Sequence, residues 1–219
     1  MKMAVSVEVW GDYACFTRPE MKVERVSYDV MTPSAARGLL ESIYWHPGMV
    51  WRIDRIYVLN PIRFTNIRRN EVKSKISAQN VRAVMNGANK PLYISTSEDI
   101  QQRAATMLRD VRYVIQAHFD LTDRAAPGDN AGKFASIINR RLEKGMCYSE
   151  PYLGTRECSA HFRPYEGEQI DTAYPDEVRD LGYMLYDLDY TDPKDIQPMF
   201  FRAKLVNGVL NVADCEVVR

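Results

Sequence analysis

Apolar and polar residues alternate at the start of the chain, in the segment MAVSVEVW. A period of two is typical of a half-buried β-strand. A second segment, MVWRIDRIYVL at residues 49–59, has the same period, and Pro61 ends it. Both segments therefore predict strands that turn one face to a core. The residues expected on those faces are Val5, Val7, Val9, Met49, Trp51, Ile53 and Tyr57.

The segment between these strands, TPSAARGLLESIYW at residues 32–45, has the apolar spacing of a helix. Thr32 can cap its start, and Pro33 occupies the favoured first position. Pro47 and Gly48 stop it. Strand, helix and strand in this order form the opening half of a ferredoxin-like unit. The apolar stripe of the helix consists of Ala36, Leu39, Leu40 and Ile43.

Residues 62–101 are polar and weakly patterned, and the basic stretch NIRRNEVKSK within them predicts a loop or a hairpin tip. The following stretch, QRAATMLRDVRYVIQAHFDL, is compatible with a helix and then a strand. Alternation in its second half favours two strands that meet at Arg109 and Asp110. The alternating residues are Val111, Tyr113, Ile115 and Ala117.

A second helix is predicted for GDNAGKFASIINRRLEKG, with Gly145 as its C-cap. Short strands follow, and Asn207 and Gly208 predict the turn of a hairpin. The pattern as a whole indicates an α+β fold: a ferredoxin-like domain over residues 1–147 and a smaller β-rich part over residues 148–219. The apolar stripe of the second helix consists of Phe134, Ile137, Ile138 and Leu142.

Composition narrows the class of protein. Of 219 residues, 46% are hydrophobic and 26% are charged, which is typical of a globular domain. No apolar run is long enough to cross a membrane, and the N-terminus resembles a strand more than a signal peptide. The cysteines form no CxxC pair, so we expect neither a zinc site nor a disulfide framework, and a cytoplasmic location. They are Cys15, Cys147, Cys158 and Cys215.

The net charge is zero, but the charges are unevenly distributed. Residues 37–144 contain 18 Lys and Arg against 10 Asp and Glu, whereas residues 145–219 contain 7 against 14. Such asymmetry is a hint of nucleic-acid binding. Solvated faces that pair with each other explain it equally well.

The candidate chemistry is that of Tyr, Lys, Arg and His side chains. The chain has no HExxH, GxxxxGK[ST], GxGxxG or GxSxG motif, so neither a metal nor a nucleotide cofactor is expected. His118 and His161 lie in strand-like stretches, where a structural role is commoner than a catalytic one. This set of side chains suits RNA cleavage by the 2′-hydroxyl, which needs a base, a cation for the phosphorane and an acid for the leaving oxygen.

Basic residues mark both ends of the second helix. Lys133 opens it beside Gly132, where backbone N–H groups can also meet a phosphate. Arg140, Arg141 and Lys144 lie at its other end. Two interpretations of this end remain open, because cations in a last turn complement the helix dipole without any ligand.

The segment FTRPEMKVERVSYDVMTPSAARGLLESIYWHP closely resembles the N-terminal signature of the fifth Cas protein family, subtype d, of type I-C CRISPR systems. LGTREC at residues 153–158 resembles the second signature of that family. The resemblance extends over essentially the whole chain. It implies a RAMP-type protein with an N-terminal ferredoxin-like, RRM-like domain and a β-rich C-terminal part.

The resemblance also implies a function. Proteins of this family are usually metal-independent endoribonucleases that cut the repeat hairpins of precursor CRISPR RNA. They then stay on the 5′ handle, beside proteins that resemble the backbone and large subunits of type I-C Cascade. A non-catalytic subunit that binds the handle is the alternative. A broader one is non-specific binding of duplex DNA through the basic middle segment.

By resemblance, the catalytic tyrosine falls on Tyr44, and the family's GKH at the second helix reads GKF here. Lys133 therefore matches, and Phe134 stands in the histidine's place. Because a phenyl ring cannot transfer protons, His46 is the candidate substitute, with His118 as another. The candidate RNA-binding residues are Arg37, Arg140, Arg141, Lys144 and Arg156.

The junction after the first helix carries one further expectation. The resemblance places Tyr44 towards RNA, and the apolar stripe of the helix faces the core. Trp45 can anchor in the core or offer its ring to a base. We favour the core.

Overall fold

A computed structural model describes residues 4–219 of the chain. No helix within these residues is long and apolar enough to cross a bilayer. The elements in chain order are β1 (Val5–Ala14), α1 (Pro33–Ile43), β2 (Met49–Val58), β3 (Phe64–Val72), α2 (Ala78–Met85), β4 (Ile100–Leu121), α3 (Ala131–Glu143), β5 (His161–Pro164), β6 (Val178–Asp189), β7 (Gln197–Val206), β8 (Val209–Asn211) and β9 (Val217–Val218).

The strands form one antiparallel sheet in the order β5-β1-β4-β2-β8-β7-β6, with β3 paired to β4 and β9 to β7. β1 and β2 both run antiparallel to β4, which lies between them. They are therefore parallel to each other, and α1 lies in the connection between them. The predicted α+β class is confirmed. The ferredoxin-like description and the division at residue 147 stay predictions, since β8 pairs with β2 and carries the sheet across that division.

The helix α1 begins and packs as its sequence predicts. The Thr32 hydroxyl accepts a hydrogen bond from the backbone N–H of Ala35, and Pro33 is the first helical residue. Burial of the predicted stripe holds the helix on β2 and β6, since an apolar face is stabilised by removal from water. The buried residues of that stripe are Ala36, Leu39, Leu40 and Ile43.

A β-bulge in β2 changes the predicted alternation. The register with β4 shifts between Ile53 and Arg55, which adds one residue on the β2 side. Beyond it, Ile56 and Val58 are buried instead of Tyr57. The expectation that Tyr57 shares a face with Trp51 is therefore wrong: its hydroxyl donates a hydrogen bond to Gln116 on the strand β4.

The prediction of a loop or hairpin tip at residues 66–75 is wrong for residues 66–72 and correct for residues 73–75, which follow the strand. β3 covers Phe64–Val72 and pairs with the first half of β4 over its full length. Its residues are all at least partly exposed, so the strand has no apolar alternation by which its sequence can reveal it.

The two strands predicted to meet at Asp110 form one strand of 22 residues, β4. Asp110 itself has a φ of 54°, a left-handed conformation that Asp tolerates better than most residues. The alternative of a helix in its first half is excluded. The hairpin turn is confirmed, because Asn207 and Gly208 have φ values of 53° and 73° between β7 and β8.

The LGTREC loop packs against the end of β1. The Leu153 carbonyl accepts a hydrogen bond from the Cys15 N–H at 3.0 Å, and the Leu153 side chain is fully buried. Gly154 has a φ of +86°, and a Cβ there would lie 2.2 Å from the Cys15 carbonyl oxygen. The glycine of this signature is therefore required by backbone conformation and by close approach.

We expect Gly154→Ala to lower the free energy of unfolding by about 2 kcal/mol or more, because it adds both backbone strain and a clash. Urea unfolding measures the change. Gly38→Ala is the matched control, since nothing lies within 4 Å of a Cβ at this helical position. It should stabilise the protein by roughly 0.5–1 kcal/mol. Equal unfolding midpoints for Gly154→Ala and wild type would contradict the requirement.

Candidate active site

Tyr44 is positioned by the end of α1. It is the C-cap residue, with φ −150° and ψ 123°, and its N–H donates to the Leu40 carbonyl. The Trp51 indole N–H donates to the Tyr44 carbonyl oxygen at 2.9 Å. The buried Trp51 side chain thereby fixes the backbone at this position, and the phenol ring turns inward, with only 8% of the residue exposed.

Arg141 connects the end of α3 to the same place. Its guanidinium carbon lies 5.1 Å from the centroid of the Tyr44 ring, which is the geometry of a cation–π contact. Its Nη1 donates to the Ile43 carbonyl at 2.5 Å. This carbonyl belongs to the last turn of α1, whose carbonyls lack helical partners. Arg141 therefore holds the ends of both helices together.

Lys133 approaches from the start of α3. The Asn130 side chain caps that helix by accepting a hydrogen bond from the Lys133 backbone N–H at 2.9 Å. The Lys133 ammonium donates to Asp129 Oδ1 at 2.7 Å. The lysine side chain is 49% exposed, whereas the aspartate side chain is 3% exposed. The ammonium thus stays accessible to a ligand while the carboxylate beneath it is covered.

Phe134 lies at the centre of these residues and is fully buried. The centroid of its ring is 6.2 Å from that of Tyr44, 6.2 Å from that of Phe119, and 5.0 Å from that of His46. The position for which the resemblance implies a histidine is therefore part of the core. His46, from the turn after α1, lies directly against it.

The His46 ring has a defined orientation. Its Nδ1 accepts a hydrogen bond from the Gly48 N–H at 3.0 Å, so the neutral ring carries its proton on Nε2. The same Nδ1 lies 3.9 Å from Asp129 Oδ2. The structure thus brings Tyr44, Lys133, His46 and Arg141 together around Phe134 and Asp129.

The charges at the site follow from these contacts. Burial raises the pKa of Tyr44, and the nearby Arg141 and Lys133 only partly oppose this. The hydrogen bond to Asp129 raises the pKa of Lys133 and lowers that of Asp129. At neutral pH the site holds a neutral phenol, an ammonium and a carboxylate. Within residues 4–219, no three His, Cys, Asp or Glu side chains lie close enough together to hold a metal ion.

The other candidate RNA-binding residues are dispersed. Arg140 and Lys144 are exposed near the end of α3, and Arg156 is exposed on the LGTREC loop. Arg37 lies about two turns before Tyr44 and forms two hydrogen bonds to Asp187 of β6, at 2.9 and 2.8 Å. The Arg37 guanidinium therefore joins α1 to the C-terminal strands, and its contact with RNA stays a prediction.

The favoured core position of Trp45 is wrong, because this side chain is 59% exposed. In the extended backbone at Tyr44, successive side chains point to opposite sides. Tyr44 takes the inward side, and Trp51 fills the core that Trp45 was expected to enter. Trp45 is left on the surface beside the candidate site.

His118 lies away from Phe134. Its neighbour Phe119 contacts Phe134, and consecutive residues of a strand point to opposite faces of the sheet. Its Nδ1 is 2.9 Å from the Asp54 carboxylate at the bulge. This favours the structural interpretation of His118 over the catalytic one.

Asp129 is the site residue that the sequence analysis missed. The one feature of the sequence that points to Asp129 is its spacing of four residues from Lys133. Ordinary ion pairs on the surface of a helix have the same spacing, so it does not identify a site residue.

Comparison with known proteins gives a consistent result. The family model Cas_Cas5d, described as "CRISPR-associated protein (Cas_Cas5)", matches residues 4–213. A protein of Mannheimia succiniciproducens named "CRISPR pre-crRNA endoribonuclease Cas5d" is 48% identical, covering 97% of this chain and 96% of that protein. A Thermus thermophilus protein of the same name is 40% identical, covering 95% of this chain and 90% of that protein.

Solved structures share the fold. A structure described as a CRISPR-associated protein has a TM-score of 0.71 at 24% identity, covering 100% of this chain and 97% of its own. A functionally uncharacterized protein of Streptococcus mutans has a TM-score of 0.70 at 22% identity, covering 100% and 98%. A chain of a CRISPR RNA-guided surveillance complex has a TM-score of 0.51 at 11% identity, covering 99% and 89%. By its family match and its two near-full-length relatives, the chain belongs to the Cas5d family of CRISPR-associated proteins.

Proposed function

We propose that this protein cuts precursor CRISPR RNA within the repeat, by attack of a 2′-hydroxyl on the adjacent phosphate and without a metal ion. The observation that carries the proposal is the grouping of Tyr44, Lys133 and His46 around Phe134. Both curated relatives are named for the same activity. Lys133 supplies the cation for the phosphorane, and Tyr44 and His46 supply hydrogen bonds to the 2′-hydroxyl and to the leaving 5′-oxygen. Water accepts the proton of the 2′-hydroxyl and returns one to the leaving oxygen.

Tyr44 orients the nucleophile. Because burial raises the pKa of its phenol, the hydroxyl is neutral at pH 7 and can exchange hydrogen bonds with the 2′-hydroxyl of the RNA. Lys133 stabilises the phosphorane, since its ammonium is charged and half exposed. It also sits on the first turn of α3, where the helix dipole favours an anion.

His46 serves the leaving 5′-oxygen. With Nδ1 occupied by the Gly48 N–H, the neutral ring offers Nε2–H as a donor and no free nitrogen as a base. The Nε2–H can therefore donate a hydrogen bond to the leaving 5′-oxygen as negative charge develops on it. This role assigns to His46 a donor function that the Phe134 ring cannot perform.

After cleavage, the protein stays on the 5′ handle within a type I-C Cascade in the cytoplasm, in contact with the backbone and large subunits. The exposed Arg140, Lys144 and Arg156 are suited to phosphate contacts. A second function, a non-catalytic subunit that binds the handle, is favoured by one observation, the replacement of the family histidine by Phe134. Binding of duplex DNA through the basic residues 37–144 is an additional proposed property.

The first prediction concerns whether cleavage needs a metal ion and whether the 2′-hydroxyl is the nucleophile. Under single-turnover conditions with excess EDTA, end-labelled repeat RNA should be cut to a 2′,3′-cyclic phosphate and a free 5′-hydroxyl. The same RNA with a 2′-deoxynucleotide at the scissile position should remain intact, because the nucleophile is missing. Intact RNA in both reactions, with binding retained, would support the handle-binding function instead.

The second prediction assigns the side chains. Tyr44→Phe and Lys133→Ala should each lower the single-turnover rate roughly 100-fold, and His46→Ala about 10- to 100-fold. His161→Ala is the control for histidine removal, since His161 is an exposed residue of β5 stacked on Trp10. It should cleave as wild type does. Wild-type rates for both Tyr44→Phe and Lys133→Ala would refute the site.

The third prediction concerns Trp45. A base–aromatic contact is worth about 1–3 kcal/mol, so Trp45→Ala should weaken RNA binding by roughly 5- to 100-fold. Filter binding or anisotropy measures the change. Tyr183→Ala removes another exposed aromatic ring, 62% exposed on β6, and should bind as wild type does. Unchanged affinity for Trp45→Ala would exclude stacking.

A further inference from the structure

Asp129 occupies an unusual position for a carboxylate in a loop. Its side chain is 3% exposed, and its two oxygens meet three separate groups. Oδ1 accepts from the Lys133 ammonium at 2.7 Å, and Oδ2 accepts from the Ala126 N–H at 3.0 Å. Oδ2 also lies 3.9 Å from His46 Nδ1. The carboxylate thus lies between the two side chains to which the proposed function assigns stabilisation of the phosphorane and a hydrogen bond to the leaving oxygen.

The loop that carries Asp129 is attached to the turn after α1. The Thr122 hydroxyl donates to the Pro47 carbonyl at 2.6 Å, and the Thr122 N–H donates to the Gly48 carbonyl at 3.0 Å. A Cβ at Gly48 would lie 2.9 Å from the Ala125 Cα, so this close approach depends on glycine. These contacts fix the position of the loop, and with it that of Asp129, relative to the turn that carries His46.

We propose that Asp129 is the positioning residue of this active site: it holds the Lys133 ammonium beside Tyr44 and faces Nδ1 of His46, so that both groups meet the same phosphate. The inference rests on the proposed nuclease function and extends it to a residue outside the three assigned roles. Asp129 acts through Lys133 and His46 and does not itself touch the RNA.

The physical reason is the flexibility of lysine. A lysine side chain has a four-carbon stem with several rotamers, and fixing it in one of them costs conformational entropy. A partner that already holds the ammonium in place removes this cost from the reaction. Holding a catalytic group in its reactive geometry accelerates a reaction without tightening substrate binding. The Lys133 side chain is half exposed and would otherwise move among its rotamers. The carboxylate of Asp129 restrains it at the base of the site.

The negative charge of Asp129 works against the binding of RNA phosphates. The charged and titratable groups that face one another here are Asp129, Lys133, His46, Tyr44 and Arg141. With Tyr44 neutral, the cations Lys133 and Arg141 outnumber the anion Asp129, so the site still attracts phosphate. Removal of the anion should leave RNA affinity unchanged or raise it. A loss of rate with retained affinity is therefore the sign of a positioning role.

The test is Asp129→Asn, an isosteric change that removes the charge. We expect the single-turnover rate at saturating protein to fall at least about tenfold, as for a misplaced catalytic group, with RNA affinity unchanged or tighter. The alkaline limb of the pH–rate profile should move to lower pH, because Lys133 without its carboxylate partner loses its proton more easily. Asp129→Glu, which keeps the charge, should regain part of the rate.

Asp180→Asn is the matched control. Asp180 also accepts from one cation, Arg202 at 2.6 Å, and from one backbone N–H, that of Gly182 at 3.0 Å. It lies on β6, away from α3, and its variant should cleave and bind as wild type does. Asp129→Asn in a Lys133→Gln background should lower the rate by a smaller factor than it does in wild type, since its effect through Lys133 is already absent.

Three results would overturn the inference. If wild type cuts and Asp129→Asn cuts equally fast with the same pH profile, Asp129 has no positioning role and the nuclease function stands. If Asp129→Asn loses affinity and thermal stability together with rate, and Asp129→Glu restores none of them, the role is structural. If wild type itself leaves the RNA intact, the proposed function fails and the inference fails with it.

Discussion

The packing of Phe134 against the end of α1 is the contact on which the candidate site depends. It brings the first turn of α3, with Lys133, against the segment that carries Tyr44 and His46. Arg141 secures the other end of α3 through the Ile43 carbonyl. Two attachments on one helix fix its rotation as well as its position, and the ammonium and the phenol therefore reach the same place.

The phenylalanine at position 134, where the resemblance implies a histidine, has two consequences. It adds a fully buried aromatic ring to the core, with contacts to Phe119 and Tyr44, and such burial is favourable by about 1.5–3 kcal/mol. It also removes a group that could transfer a proton. His46 lies on the outer side of that ring. An imidazole therefore lies at the site, carried by the turn after α1.

The fold could be predicted where short-range patterns act alone. The Thr32 cap, the stripe of α1 and the turn at Asn207 and Gly208 all depend on neighbours within a few residues. Prediction from sequence failed where the conformation of a segment depends on a partner that is distant along the chain. β3 exists because β4 pairs with it, and the bulge at Asp54 turns Tyr57 away from the core. No residue of β3 is buried, so its sequence has no burial pattern to detect.

The sequence by itself determined the helix that ends at Tyr44, the cations of the second helix, and the identity of Tyr44, His46 and Lys133 as candidates. Only the tertiary structure decided that His46 packs against Phe134, that Trp45 is exposed and that Asp129 joins the site. The physical reason is that capping and periodicity are local, whereas the contacts of His46 with Phe134 and Asp129 join residues more than about 80 positions apart. Their approach depends on the packing of the whole sheet.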